Sequence, residues 1–224
     1  MPPTARDAFL IPVTIAEIGV PWFGLRVAGL AREETPDDPA LAARIAEQER
    51  ALRGLLEGSA EMVATVESWL ARSGIEAPPR PADFQGYLDW ANAVAEGLTA
   101  ALRPEQPEGA LAMLGRCAGE LIQSAMVLAG VLHLRAVADL EVLKSYDAGA
   151  VARFTEWTTK IAAAVSFPSL PETVRPHAAA MAQIAQAVAM RPPELGPAQA
   201  MQLYRAGADR LGGLVAAVRD QLPD

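Results

Sequence analysis

Apolar residues recur along this chain at three-, four- and seven-residue steps, the period of one face of an α-helix. The clearest run lies between Ala40 and Ser73, where Leu41, Ile45, Leu52, Leu55, Leu56, Val63, Val66, Trp69 and Leu70 alternate with Arg44, Glu47, Gln48, Glu49, Arg50, Arg53 and Glu57. The pattern predicts an amphipathic helix of roughly nine turns at about 3.6 residues each. Asp37 or Asp38 can cap its start, Pro39 suits its first turn, and Gly74 stands where a C-terminal glycine cap belongs.

The same reading continues between the prolines, which punctuate a helix-rich chain. A third helix starts near Pro81 to Asp83 and carries Phe84, Tyr87, Trp90, Val94, Leu98 and Leu102. A fourth is predicted from about Ala110 to Ser145. Its middle, Leu121 to Leu134, has no Asp, Glu, Lys or Arg, so it reads as a central helix packed on more than one face. "SYDAGA" is expected to turn the chain into a fifth helix with Val151, Phe154, Trp157, Ile161 and Val165. After "SFPSLPET", where Ser169 or Thr173 could start a helix, a sixth shows Val174, Ala178, Met181, Ile184, Ala185 and Val188. The last carries Met201, Tyr204, Ala208, Leu211, Val215 and Val218. No stretch alternates as a strand would. The predicted architecture is all-α: a single-domain bundle of about six or seven helices over residues 1–224, joined by short linkers.

The stretch from Leu10 to Leu30 is long and apolar enough to suggest a membrane span. Glu17 and Arg26 interrupt it, and each costs roughly 2.5 to 3.5 kcal/mol at mid-membrane on insertion scales. They fall on opposite sides of a helix and cannot pair. Pro12 and Pro21 would break the backbone ladder in lipid. A signal peptide fits little better, because Arg6 beside Asp7 gives the leading region no net positive charge. Residues 1–36 are therefore expected to form an irregular, kinked segment split at Gly19 to Pro21, a candidate lid or contact surface, and no integral membrane segment is predicted.

Composition narrows the function classes. Ala and Leu dominate, as packed helices favour. The formal charge of −8, from 27 acidic and 19 basic residues, disfavours nucleic acid, whose binding needs a cationic surface. The one cysteine, Cys117, cannot form an internal disulfide, which suits a reducing cytoplasm.

Candidate chemistry is sparse. The two histidines lack Glu three residues before them, those positions being Gly130 and Val174, so a di-iron carboxylate bundle is set aside. Two histidines and one cysteine are too few for the usual zinc sites. No phosphate loop, dinucleotide fingerprint or G-x-S-x-G elbow occurs, and no cofactor is predicted. His133, on the stripe Ile122, Met126, Ala129, His133, Leu140, is expected to be buried. His177 is expected at the surface or at a cap, and Cys117 as an inert buried thiol. Gly115 and Gly119, one turn apart, predict a close helix–helix approach.

Large aromatics spread over several helices can line a cavity. Trp22, Tyr87, Trp90, His133, Phe154 and Trp157 are the candidate cavity residues, with Thr158, Thr159 and Lys160 as polar neighbours. Two functions fit this inventory. The first is a non-catalytic interaction or scaffold protein that self-associates, or docks on a protein partner, through apolar helix faces. The second is a helical-bundle protein or enzyme binding an apolar small molecule in an aromatic-lined cavity.

Overall fold

The computed structural model describes residues 3–192 and 194–224. Those residues form seven α-helices and no strand: α1 (Ala5–Glu33), α2 (Pro39–Arg72), α3 (Phe84–Ala101), α4 (Pro107–Arg135), α5 (Glu141–Val165), α6 (Arg175–Ala189) and α7 (Pro197–Gln221). The predicted helical bundle is the observed class.

Helix ends follow local chemistry where the sequence announces it. Asp38 caps α2, its carboxylate accepting from the Ala40 and Leu41 amides, with Pro39 as the first helical residue. Gly74 closes α2 at φ +72°. The Gly74 amide donates to the Ala71 carbonyl and the Ile75 amide to that of Leu70, the paired bonds of a Schellman motif. Asp83 caps α3 through the Gly86 amide at 2.7 Å. Neither Ser169 nor Thr173 caps α6. Its N-cap is Val174, and Ser169 donates to the Pro104 carbonyl instead.

α4 is the central helix. It packs against α1, α5 and α7, while α2 lies on α1 and α6 joins α5 to α7. The glycine pair makes its closest approach. A Cβ at Gly119 would stand 3.0 Å from the Val13 Cα, so the α1 and α4 backbones nearly touch. The core runs through Phe9, Ile11 and Ile18 of α1, Leu111, Leu114, Leu121 and Leu128 of α4, and Phe154 and Tyr204, all fully buried.

Two expectations need correcting. The N-terminal segment is one helix, with both prolines inside it. Each proline lacks an amide hydrogen, so the Ala8 and Glu17 carbonyls lose their usual donor. Packing against α4 and a Thr4–Asp7 capping box hold the helix despite that loss. Because Phe9, Ile11 and Ile18 are core residues, α1 is not a lid. The predicted fourth helix also ends early, at Arg135, and "SYDAGA" lies inside α5. The break at Ala136–Leu140 contains no Gly or Pro. It is held from outside: Glu34, at the end of α1, accepts from the Val142 amide in the first turn of α5 at 3.2 Å. Arg135 and Asp147 pair across the corner.

α1 and α4 are each long and apolar enough, by length and composition, to cross a membrane. In the bundle, 50% of the apolar window of α1 and 67% of that of α4 are buried.

Candidate functional site

α3 is fastened to α1 by an aromatic cluster placed just after Pro21. Phe23 meets Phe84 edge-on at 5.2 Å and Tyr87 at 6.2 Å between ring centroids. Trp22 stacks on Tyr87 at 6.1 Å and 15°, and Trp90 lies tilted behind Tyr87 at 6.2 Å. The Tyr87 hydroxyl donates to the Ile15 carbonyl at 2.8 Å. Gly19 makes room for this junction, since a Cβ there would fall 2.3 Å from the Tyr87 hydroxyl and 1.8 Å from Gln123 Nε2.

Held on that side, α3 stands off α4, and a cleft of about 200 Å³ fills the gap. One wall is mostly apolar: Ile15 and Ala16 of α1 with Leu88, Ala91, Ala95 and Leu98 of α3, where Asn92 and Thr99 add two polar groups. The other carries Arg116, Glu120 and Gln123 on successive turns of α4, joined by Arg153 of α5. A second chamber of about 380 Å³ shares Phe23, Gln123 and Arg153 with the first and adds Ser124, Ser145, Tyr146 and Ala150.

The electrostatics of this wall are unusual for a chain of net charge −8. Arg116 and Arg153 sit at the mouth, and neither has a carboxylate ion-pair partner among the described residues. They are held by ring faces instead: Arg116 lies 5.3 Å from the Trp157 centroid and Arg153 5.7 Å from that of Phe23. Burial raises the Glu120 carboxyl above the ordinary carboxylate range, with Arg153, Arg116 and Lys160 opposing the shift. The Tyr87 hydroxyl is likewise pushed up, chiefly by burial. The Ser124 hydroxyl is fully buried without a hydrogen-bond partner among the described residues.

Of the sequence-predicted cavity residues, Tyr87 alone lines the cleft. Trp22 and Trp90 pack against Tyr87 outside the lining, each with an indole N–H buried and without a hydrogen-bond partner among the described residues. Phe154 is core, edge-on to Tyr204 at 5.6 Å, and Trp157 is buried beneath Arg116 and Lys160. Thr158 and Thr159 donate to carbonyls of their own helix, and Lys160 pairs with Glu156. His133 is exposed, contrary to expectation, and lines neither chamber. The buried stripe of α4 is Leu121, Ala125, Leu128 and Leu132, one position away from the stripe that would have carried His133 inward. Cys117 is fully buried, and burial pushes its thiol up to about 12. His177 is half-buried in the first turn of α6.

The residues that sequence reasoning missed are Arg116, Glu120, Gln123 and Arg153. Charged residues one turn apart ordinarily read as a solvated helix face. The signal that could have found them is the placement of Arg116, Glu120 and Gln123 on the same side of an otherwise apolar helix.

No group of three or more His, Cys, Asp and Glu converges on a metal-sized point among the described residues. Fold and cleft together define the class: an all-α bundle with a two-chambered interhelical cleft, apolar on one wall and cationic on the other. No family model, curated protein or solved structure matches the chain.

Proposed function

We propose that this protein binds a small, largely apolar molecule in the cleft between α1, α3, α4 and α5. The observation that carries this reading is the stand-off of α3 from α4. A bundle built only for stability would close such a gap, because interiors pack to crystal-like density. Here Leu88, Ala91, Ala95 and Leu98 instead turn an apolar face to a void. Pockets of this kind, mostly apolar with a few convergent polar groups, are the usual form of small-molecule sites. The ligand is taken up by the protein as a soluble, cytoplasmic bundle. In support, α4 is enclosed by α1, α5 and α7, leaving little of its apolar length for lipid.

The test is fluorescence titration with nile red, an uncharged apolar dye, on the full chain and on Ala91→Trp, which plugs the α3 wall. Saturable enhancement with the native chain, lost in the variant, is expected. Equal enhancement in both would overturn the reading.

A second reading is favoured by one observation. Leu55 is 62% exposed and Met126 37% exposed, and both border a groove of about 170 Å³ with Val20, Val27 and Leu52. Self-association or partner docking would cover it. Sedimentation velocity of the native chain and Leu55→Glu measures this, and a monomer in both would remove self-association.

A further inference from the structure

The two-chambered cleft has a polarity that the apolar reading alone does not use. We propose that its ligand is an elongated organic anion, an alkyl body ending in a carboxylate or comparable single negative group, with that group held between Arg116 and Arg153; this rests on the cleft being a binding site.

The first argument is charge. Acidic residues outnumber basic ones in this chain, yet both arginines of the cleft lack an acidic ion-pair partner among the described residues. The Glu120 carboxyl lines the same cleft and makes no ion pair with either among the described residues. With Glu120 ionised the three groups leave one positive charge, and with it protonated two. An anion is attracted in both states, and a cation in neither.

The second argument is orientation. Each guanidinium lies over a ring face, its central carbon 5.3 Å (Arg116) or 5.7 Å (Arg153) from the centroid, and its N–H groups make no hydrogen bond among the described residues. A guanidinium edge suits the paired oxygens of a carboxylate, and such charge-assisted bonds are the strong ones.

The third is the Ser124 hydroxyl. It is fully buried, has no hydrogen-bond partner among the described residues, and lines the chamber that Arg153 also lines. A buried hydroxyl without a partner carries a desolvation cost that a ligand oxygen would relieve.

Length fits an alkyl body. The cleft runs along α4 from Gly109 to Gln123, about 21 Å at about 1.5 Å per residue. Its apolar end, at Leu98, Leu102, Ala112 and Met113, lies away from Arg153 and Gln123.

Isothermal titration of the full chain with dodecanoate and with dodecanol, both below their aggregation limits, tests this. Dodecanoate should bind at least about tenfold tighter, the range of one charge-assisted contact. That preference should fall toward unity in Arg116→Gln with Arg153→Gln. Both side chains are exposed, so the double variant should keep the native melting curve. Single Arg153→Lys, which keeps the charge but not the fork, should retain part of the preference. Equal binding of acid and alcohol, or an unchanged preference in the folded double variant, overturns the anionic inference and leaves the apolar cleft standing. Binding of neither, together with no nile red response, removes both.

Discussion

Gly115 of α4 lies against the backbone of Phe9 of α1: a Cβ at position 115 would stand 2.2 Å from the Phe9 carbonyl oxygen. The obstruction is backbone, so it cannot rotate away, and the central pair of helices would have to separate. Gly115→Ala should therefore cost about 2 to 3 kcal/mol, the upper range for overpacking. Gly58, on the exposed side of α2, has nothing within 4 Å. Gly58→Ala should stabilise by about 0.5 to 1 kcal/mol through helix propensity alone. Urea unfolding of the two variants gives opposite signs if this packing is right, and the same sign if it is wrong.

Tyr87 is both cleft wall and helix fastener, because its hydroxyl donates to the Ile15 carbonyl. Tyr87→Phe keeps the ring stack with Trp22 and the edge contact with Phe23 and removes only the bond. The expected loss is about 0.5 to 1.5 kcal/mol. Nile red should still bind, more weakly, since α3 is less firmly held. Complete loss of dye binding with unchanged stability would instead make the hydroxyl a direct ligand contact.

These two junctions differ in how far the sequence announces them. Gly115 and Gly119 at one-turn spacing on an apolar helix signal close approach directly. Asp38, Pro39 and Gly74 likewise mark α2, because caps and breakers act through local backbone geometry. The corner between α4 and α5 carries no such residue. Its Glu34 cap arrives from a distant part of the chain, so local pattern runs straight through it. The exposure of His133 escapes the sequence pattern for a related reason. α4 is buried around most of its circumference, so apolar period does not fix which side meets solvent. The cleft was hidden because it depends on α3 standing off α4, a tertiary distance that no spacing encodes.

Cys117 is fully buried and its thiol is pushed up to about 12 by burial, against the pull of Lys160 and Arg116. At pH 8 that leaves roughly a thousandfold less thiolate than an ordinary cysteine carries. A disulfide reagent should label the native chain at least about a thousandfold more slowly than the urea-unfolded chain. Labelling of the native chain at the rate of an exposed thiol would place Cys117 at the surface and contradict the α1–α4 packing.

Glu120 supplies the pH test. Burial raises its carboxyl above the ordinary value of 4.5, and this outweighs the opposing charges of Arg153, Arg116 and Lys160, with Glu156 adding to the rise. Below 4.5 the group is protonated in both folded and unfolded chains and contributes no pH dependence. As pH climbs through 4.5 the unfolded chain releases its proton while the folded chain still holds it, so the folded state loses stability. The loss stops growing once pH passes the raised folded value. Glu120→Gln, close to the protonated acid in shape, should match the native chain in urea midpoint at pH 3.5 and exceed it at pH 7. A true ion pair with Arg153 would give the reverse, with the native chain gaining over the variant as pH rises. The same proton bears on the cleft. Neutral Glu120 leaves Arg116 and Arg153 unopposed, so dodecanoate affinity in the native chain should strengthen as pH falls through the raised Glu120 value. In Glu120→Gln that gain should be absent.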